Sequence, residues 1–489
     1  MLRTPSLPGL LISLLLCAAH AAAQDFPTFD ELKSAAGGHS LPLVDLRVDL
    51  AAVSRNGFVA AEVEIFDPQS APADARTVFH GLVRYRGNTS LRLDKKSFAL
   101  KLTDGAGEDL DANLFGIRKE NSWVINAMAI DRLRMRDRLC FDLWNAVSRT
   151  PYPTPFGNRN GTEGRFVELF VNGRYHGLYC FGDKVDRKLL ALKKARVEGD
   201  GSVRLRGLLY KGEAWTSAVM LGRYDPDAPT DTTAWNGWGL QYPDDYPSAE
   251  AWRPLAELID FCNDGDFAAG HAAHFYLDNM VDYGLLLMAL NIRDANFKNA
   301  FLSTPDINAE TRFLVTPWDM DTSLGGEWNG QYFDELSGTA TLTVSLPFKF
   351  FYNRDIGGFR GRLRQRWEQW AAGAFHPSAV DRRLDEYAEA FTASGAWQRE
   401  QQRWDGNPVP LKEDIGDELD YVKDWYRRNY FHLCELLGTG TTAIGTTAGP
   451  TPDARPAEIF TLDGRRAPRL QKGINLVRYP DGRTIKIKK

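Results

Sequence analysis

The amino-acid sequence predicts an α+β fold with a β-rich N-terminal lobe and a helical C-terminal lobe. Residues from about 41 to 186 alternate apolar and polar side chains between turn signals, which is typical of strands. From about 251 to 436, apolar side chains recur at helical spacing. With 489 residues, of which 43% are hydrophobic, the chain can bury a large core, so we expect one large domain over 24–436.

The first 23 residues are typical of a secretory signal peptide. Arg3 precedes a short apolar run from Leu10 to Cys17, and small alanines end the segment before Gln24. The run is shorter than the roughly 20 apolar residues that a membrane-spanning helix needs. We therefore expect cleavage after Ala23 and a secreted or periplasmic protein without a transmembrane segment.

Four segments of the β-rich lobe carry clear strand signals. Val59–Phe66 alternates as a half-buried strand does, and Val78–Arg86 and Ser97–Leu102 are rich in β-forming residues. Phe166–Phe181 is predicted to be a hairpin, because Asn172-Gly173 at its centre is the strongest short signal for a two-residue turn.

One helix interrupts these strands. Asp131 is a plausible N-cap for it, and apolar side chains recur at helical spacing from Leu133 to Val147. Further along, the stretch 213–250 is rich in Trp, Asp, Pro and Gly, which predicts a long ordered loop or insertion.

The helical lobe begins at about residue 251. Trp252–Phe261 and Asp278–Leu290 are predicted helices, and the second is apolar almost all round, which indicates a buried helix. Two later helices are predicted from one apolar face each. These faces consist of Leu363, Trp367, Trp370 and Ala371, and of Ile415, Leu419, Val422, Trp425, Tyr426 and Leu433.

The C-terminal region separates from the large domain in composition. Residues 437–456 are rich in Gly, Thr, Ala and Pro, which predicts a linker. In the tail, 457–489, Glu458–Arg465 and Ile474–Ile487 are strand-like, and the second run folds at Pro480-Asp481-Gly482 into a short β-hairpin. The tail resembles the sorting tails of type IX secretion cargo, which implies attachment at the cell surface; the alternative is a small structural appendage.

Charge and composition exclude several classes of protein. Lys and Arg number 59 against 64 Asp and Glu, so the net charge of −5 gives no electrostatic case for nucleic acid as a partner. No two cysteines have the CxxC spacing of common zinc sites, and the P-loop pattern is missing. Four cysteines beyond the signal peptide either pair after export or stay as buried thiols. They are Cys140, Cys180, Cys262 and Cys434.

Two segments of the helical lobe carry the residues that suggest chemistry. Asp294 and Asn299 lie five residues apart directly after the buried helix, and Asp319 and Asp321 follow an apolar strand about 20 residues later. Phosphoryl transfer needs a carboxylate to accept the hydroxyl proton and oxygen ligands to hold Mg²⁺. In this order Asp294 is the candidate catalytic residue, and Asn299 with Asp319 or Asp321 the candidate metal ligands. The alternative is that these residues only cap turns and helices.

Cations between the predicted strands could hold phosphate groups. A glycine-containing turn at Arg84–Ser90 and the strand Lys95–Leu102 place several of them close together in sequence. Lys96 and Lys101 are the candidates for contact with the phosphates of a nucleotide, with Arg86 as a helper. The alternative for the lysines is a solvated strand edge.

Several segments in order resemble the CotH kinase family, which is named for a spore coat protein. The resemblance runs from about Leu41 to Leu436 and includes the Asp294 and Asp319 segments. The other segments are the turn RGNTS (86–90), the strand KKSFALKL (95–102), DANLFG (111–116), NSWVI (121–125) and VELFVNGRYHGLY (167–179). In two places the sequence departs from the expected pattern, with Asp183-Lys184 where the family often has Glu-Lys and no histidine before Arg293-Asp294.

The resemblance implies an atypical, secreted kinase with a two-lobed protein-kinase-like fold and ATP and Mg²⁺ as cofactors. It implies transfer of phosphate to hydroxyl side chains of exported or surface proteins, with Asp294 as the catalytic carboxylate and Asn299 and Asp319 on the metal. Two alternatives remain at this point. One is a catalytically inactive kinase-fold module that binds protein or glycan, and the other is a hydrolase that uses Asp319 and Asp321 as paired carboxylates.

Overall fold

The computed structural model describes residues 26–71 and 75–439, and in the C-terminal region residues 458–461, 465–467, 469, 471–472, 474–478 and 484–488. The predicted signal peptide, most of the predicted linker and the tip of the predicted hairpin lie outside these residues. The chain divides into two compact units, of which the first ends at Leu437 and the second begins at Gly438.

The secondary structure is mixed α and β, as predicted. The helices of the described residues are α1 (Phe29–Ala35), α2 (Arg136–Val147), α3 (Ala249–Asp264), α4 (Phe267–His274), α5 (Leu277–Leu290), α6 (Leu346–Asn353), α7 (Phe359–Ala371), α8 (Pro377–Ala393), α9 (Ala396–Arg403) and α10 (Ile415–Leu436). The strands of the first unit are β1 (Leu43–Arg47), β2 (Val59–Phe66), β3 (Arg76–Arg86), β4 (Ser97–Thr103), β5 (Ser122–Asn126), β6 (Gly164–Val171), β7 (Arg174–Gly182), β8 (Arg196–Val197), β9 (Val203–Arg204), β10 (Leu208–Gly212), β11 (Ala234–Trp235), β12 (Trp238–Tyr242), β13 (Ala300–Thr304) and β14 (Leu314–Pro317).

The first seven strands form a closed barrel in the order β1-β2-β3-β4-β5-β7-β6. All neighbours are antiparallel except β1 and β6, which pair in parallel and close the barrel. Alternate side chains of each strand, such as Val44 and Leu46 of β1, form its buried core. The predicted β6–β7 hairpin is confirmed, with Asn172 and Gly173 both at positive φ in the turn.

A second, antiparallel sheet has the order β11-β12-β10-β13-β14. Its strands β11 and β12 come from the stretch 213–250, so part of that stretch is strand rather than loop, and the prediction of an insertion stays a prediction. Two tryptophans of this stretch, Trp235 and Trp238, are buried packing residues. The Trp235 ring stacks on Trp252 of α3 with centroids 5.6 Å apart, and Tyr210 of β10 stacks on the same ring.

The helical predictions hold except for one boundary. Helices α3 and α5 cover the predicted segments, α5 is buried along almost its whole length, and the predicted apolar faces of α7 and α10 are buried. Helix α2 begins at Arg136 rather than after Asp131. The Asp131 carboxylate accepts hydrogen bonds from the backbone N–H groups of Leu133, Met135 and Arg136, so it stabilises the turn that leads into the helix.

The described residues of the second unit form a four-stranded antiparallel sheet in the order β16-β15-β17-β18. The strands are β15 (Glu458–Thr461), β16 (Arg466–Ala467), β17 (Ile474–Arg478) and β18 (Thr484–Lys488). The predicted hairpin is its β17–β18 half, and the first strand-like run adds β15 beside β17. The tail is therefore a small sheet rather than a hairpin alone.

Across the described helices, none is both long enough and apolar enough to span a bilayer.

Candidate functional site

The two candidate segments meet at one end of the β13–β14 hairpin. Helix α5 ends at Asn291, which has a left-handed conformation with φ of 47°, and the chain turns back toward β13. The backbone N–H of Asn299 donates to the carbonyl of Gly212 at 3.0 Å, and the N–H of Trp318 donates to the carbonyl of Asn299 at 3.0 Å. The segment with Asp294 therefore enters the hairpin where the segment with Asp319 and Asp321 leaves it.

Asp294 and Asn299 are in direct contact. The Asn299 Nδ2 donates to the backbone carbonyl of Asp294 at 2.9 Å and to its Oδ2 at 3.3 Å. The Lys298 ammonium lies 2.6 Å from the same Oδ2. Trp215 Nε1 donates to the other carboxylate oxygen, Oδ1, at 3.0 Å. The Asn299 amide nitrogen therefore faces Asp294, and its predicted role as a metal ligand through Oδ1 stays a prediction.

Asp319 and Asp321 lie in a group of carboxylates that includes Asp137 of α2. Asp137 Oδ1 accepts a hydrogen bond from the backbone N–H of Met320 at 2.9 Å, which places it against the centre of this segment. Burial, reinforced by the charge of Asp319, raises the pKa of Asp137 to about 6. Burial and the same charge also raise the pKa of Asp321 well above its usual range. Burial and like charge at this site therefore favour the neutral form of these two carboxyl groups.

Two cations, Arg86 and Lys211, lie next to these carboxylates. The Arg86 guanidinium carbon is 5.4 Å from the centre of the Trp318 ring; burial lowers its pKa, and the charges of Asp319 and Asp137 act in the opposite direction. Lys211 lies on β10. Burial and the nearby charge of Arg86 lower the pKa of the Lys211 ammonium, and the charge of Asp319 opposes this effect in part. Within the described chain, neither cation is in an ion pair.

The ammonium groups of Lys96 and Lys101, the two lysines expected from sequence to contact phosphates, have partners outside this group of carboxylates. The Lys96 ammonium donates to the carbonyls of Leu91 and Leu93, which close the turn before β4. Lys101 forms an ion pair with Asp109 at 2.7 Å.

The strand register explains the position of Lys101. Arg86 pairs with Ser97 at one end of the β3–β4 ladder, and Lys101 pairs with Leu82. Four residues along a strand place Lys101 about 13 Å from the end that faces the site.

Asp137, Lys211 and Trp215 are the site residues that the sequence did not reveal. Asp137 stands in the first turn of α2, Lys211 in a strand without a recognisable motif, and Trp215 in the stretch predicted as an insertion. Only the pairing of β10 with β13 and the packing of α2 against the Asp319 segment bring them together. A strand lysine directly before a Trp-rich stretch is too common a pattern to have identified Lys211.

The donor set suits a hard divalent cation. Among the described residues, no three Asp, Glu, His or Cys side chains are grouped closely enough to hold a metal ion alone. Asp319 and Asp321 form no ion pair in that part of the chain, and Asn299 adds an amide oxygen beside Asp294. Carboxylate and amide oxygens are the ligands that Mg²⁺ takes in proteins, and Mg²⁺ retains water at its remaining positions.

A family model described as CotH kinase protein matches residues 83–433. The chain belongs to the CotH kinase family. The match covers Arg86, Lys211, Asp294 and Asp319, and it ends before the C-terminal sheet. Membership in the CotH kinase family indicates a kinase-like function. No curated protein matches the sequence.

The matched region of this CotH family member begins within β3. Strands β1 and β2, which close the barrel, therefore lie outside it. The resemblance of the tail to type IX sorting tails also concerns residues beyond the match and stays a prediction.

Proposed function

We propose that this protein is a magnesium-dependent kinase that transfers the γ-phosphate of ATP to hydroxyl side chains of exported or surface proteins. One observation carries the proposal: the carboxylates Asp319 and Asp321 and the cations Arg86 and Lys211 lie together without ion-pair partners among the described residues. Separated charges of both signs at one place suit a ligand with phosphates and a metal ion. In this proposal the barrel is the N-terminal lobe, the helices are the C-terminal lobe, and the nucleotide binds between them.

The carboxylates would hold the metal. Asp319 and Asp321 supply negative oxygens, and Asn299 supplies a neutral one. Bound Mg²⁺ would bridge phosphate oxygens and neutralise charge that develops during transfer. Asp137 keeps the segment in place through its hydrogen bond from Met320 N–H.

The cations would bind the phosphates. Arg86 keeps the role expected from sequence, and Lys211 takes the role expected of Lys96 or Lys101, because the charges of Arg86 and Asp319 both act on its ammonium. A lysine ammonium binds a phosphate as a point charge, and the arginine fork can donate two parallel hydrogen bonds.

Asp294 would accept the proton of the acceptor hydroxyl. Its carboxylate is held by Lys298 and Asn299 at Oδ2 and by Trp215 at Oδ1. Each carboxylate oxygen can accept two hydrogen bonds, so the group retains room for the acceptor. The nearby Lys298 ammonium can offset the negative charge of an approaching phosphate.

The function is tested by the melting temperature of the purified protein titrated with ATP, with and without MgCl₂. We expect stabilisation by ATP that requires Mg²⁺, and phosphate transfer to the protein itself or to casein as a probe acceptor. Lys211→Met should weaken ATP binding at least about 10-fold, because a charge-assisted contact is lost. Lys101→Met is the matched control and should bind ATP as the wild type does. Absence of metal-dependent stabilisation in the wild type would overturn the proposal.

The second candidate is an inactive kinase-fold module that binds protein or glycan. The engagement of both Asp294 oxygens by Trp215, Lys298 and Asn299 favours it, since a general base must be accessible to its substrate. This candidate predicts no phosphate transfer even where nucleotide binds. The same titration, followed by radiolabelled transfer from ATP, separates the two.

The proposed location follows from the sequence alone. Cleavage after Ala23 would export the protein, and the C-terminal sheet would attach it to the cell surface if it acts as a sorting signal. Mass spectrometry of the exported protein should then show an N-terminus at Gln24, whereas a retained leader would contradict export by cleavage.

A further inference from the structure

An exposed tryptophan, Trp215, is bonded to the candidate catalytic carboxylate. Half of its surface is accessible, at 49%, yet its Nε1 lies 3.0 Å from Asp294 Oδ1. The indole N–H is the only polar group of this side chain, and it is directed at Asp294 although the ring is exposed to solvent. Trp215 comes from the stretch between β10 and β11, far from Asp294 in sequence.

Hydrogen bonds from residues 213 and 216 to residues 236 and 237 fix the turn that carries Trp215. The hydroxyl of Thr216, the next residue, donates to the carbonyl of Asn236 at 2.8 Å, and the N–H of Glu213 donates to the carbonyl of Gly237 at 2.9 Å. Gly237 has φ of +90°, and a Cβ there would lie 2.7 Å from the Thr216 hydroxyl oxygen. The indole therefore projects from a turn that is closed by hydrogen bonds and tight packing, and not from a loop without such contacts.

Trp215 and Lys298 hold the Asp294 carboxylate from its two sides. The Lys298 ammonium contacts Oδ2, and it lies 5.6 Å from the centre of the Trp215 ring. With a donor on each oxygen, rotation of the carboxylate about its Cβ–Cγ bond would break at least one hydrogen bond. A general base must hold its orientation within a few tenths of an ångström to act efficiently.

We propose that Trp215 is a positioning residue that fixes the orientation of the Asp294 carboxylate through its indole N–H. The inference rests on the proposed function, in which Asp294 is the base. It assigns a role to a residue that neither the motifs nor the family pattern singles out. The exposed ring offers a different explanation, a platform on which the acceptor stacks, and this explanation predicts the opposite results.

Two substitutions separate the indole N–H from the indole ring. Trp215→Phe keeps an aromatic ring and removes the donor, whereas Trp215→Gln removes the ring and places an amide N–H at a similar reach. We expect kcat of casein phosphorylation to fall about 10-fold in Trp215→Phe, with the KM for ATP unchanged, because one hydrogen bond to a charged group is lost. Trp215→Gln should restore kcat to within about threefold of the wild type.

The control variant is Trp328→Phe, which makes the same change at another exposed tryptophan, 55% accessible. It should leave kcat and both KM values unchanged. Melting temperatures of all variants check that each one folds as the wild type does, so that a loss of kcat is not a loss of folded protein.

A double-mutant cycle with Asp294→Asn tests whether Trp215 acts through Asp294. In the Asp294→Asn background, Trp215→Phe should have no further effect on the residual rate. An equal loss in both backgrounds would overturn the inference, as would full activity of Trp215→Phe. Retained activity in Trp215→Phe with loss in Trp215→Gln would also overturn it and favour the acceptor platform. A wild type that fails to bind ATP with Mg²⁺ marks failure of the proposed function instead.

Discussion

Asp319 has a left-handed backbone conformation, with φ of 56°, and an exposed side chain beside partly buried carboxylates. Residues other than glycine adopt this conformation at a cost of about 1 kcal/mol, and Asp and Asn adopt it most readily. A protein retains such backbone strain where the site requires the side chain of that residue to point in one particular direction. An Asp319→Asn substitution therefore changes the charge without changing the backbone preference, which makes it a clean probe of metal binding.

Asp319→Asn is expected to reduce both the rate and the metal-dependent affinity for ATP, because a neutral amide replaces a charged ligand of Mg²⁺. The measurement is an ATP titration at several MgCl₂ concentrations, compared with the wild type. Asp321→Asn should have a smaller effect on affinity if Asp319 is the main ligand. Unchanged affinity in Asp319→Asn would remove this residue from the metal site.

Asp294→Asn is expected to behave differently. It should cost on the order of 10²–10⁴-fold in rate, because the base is lost while the size of the side chain is kept. ATP affinity should stay nearly intact, since Asp294 faces the acceptor in the proposed arrangement. Single-turnover transfer to casein, measured beside ATP binding, checks both parts, and full activity of this variant would contradict a catalytic role.

At the scale of elements, the segment after the Asp319 motif is bonded to itself and to the loop that carries Asp294. The N–H of Phe333 donates to the carbonyl of Gly325 at 2.8 Å, and that of Glu327 to the carbonyl of Gln331 at 2.9 Å. Arg293, adjacent to Asp294, forms an ion pair with Glu327, and its guanidinium carbon lies 3.5 Å from the Phe333 ring centre. Residues 325–333 are thus attached to the loop that carries the candidate base.

Loss of this ion pair should loosen the segment without unfolding the protein. Arg293→Glu alone and Glu327→Arg alone should each increase amide hydrogen exchange in residues 325–333. The double mutant, which carries both substitutions and so restores an ion pair with the charges reversed, should regain protection. The melting temperature should change little, because a partly exposed ion pair contributes only about 0–1 kcal/mol. Equal exchange in all four proteins would show that the segment is held by its own hydrogen bonds. Arg354→Ala, which removes an arginine from the Phe350 ring, is the control.

The element predictions succeeded where local pattern decides structure. Strand Val59–Phe66, the Asn172-Gly173 hairpin and the buried helix α5 follow from side-chain periodicity and turn chemistry, which act over a few residues. Lys96 and Lys101 were misplaced because their surroundings depend on the register of a closed barrel. Lys211 and Asp137 could not be found from sequence, since their proximity to Asp319 arises from packing between distant segments.

At the scale of the molecule, a buried charged cluster joins the barrel to the helices of the first unit. Glu400 of α9 accepts from Lys95 at 2.6 Å and from Arg134 at 2.9 Å, and all three side chains are fully buried. The Lys95 ammonium also donates to the carbonyls of Ala127 and Leu178, which uses all three of its N–H groups. Burial alone would raise the pKa of Glu400, but the positive charges of Lys95 and Arg134 outweigh burial and lower this pKa.

Glu400→Gln should therefore destabilise the whole first unit by about 3–5 kcal/mol, because two buried cations lose the charge that compensates them. Chemical denaturation followed by tryptophan fluorescence and by circular dichroism checks this, and both signals should shift together. Glu389→Gln, at an exposed position of α8, is the control. A loss confined to one of the two signals would mean that the barrel and the helices unfold separately.

Truncation after Gly438 should leave the first unit intact. The chain divides into compact units at this residue, and every buried residue of the large apolar clusters precedes it. We expect the melting temperature to shift by no more than about 2 °C, while surface attachment is lost if the tail is a sorting signal. A drop of many degrees would show that the C-terminal sheet contributes to the stability of the first unit.

Closure of the barrel has a consequence for the time course of folding. Its parallel pair joins Leu43 of β1 to Glu168 of β6, 125 residues apart, so the first strand to be made has to wait for one of the last. At a synthesis rate of about 5–20 residues per second, that delay is about 6–25 s. Throughout it β1 and β2 present an open edge, which is the arrangement most prone to pairing with another chain. A chaperone that shields this edge should raise the yield of folded protein during synthesis more than one that binds the helical region.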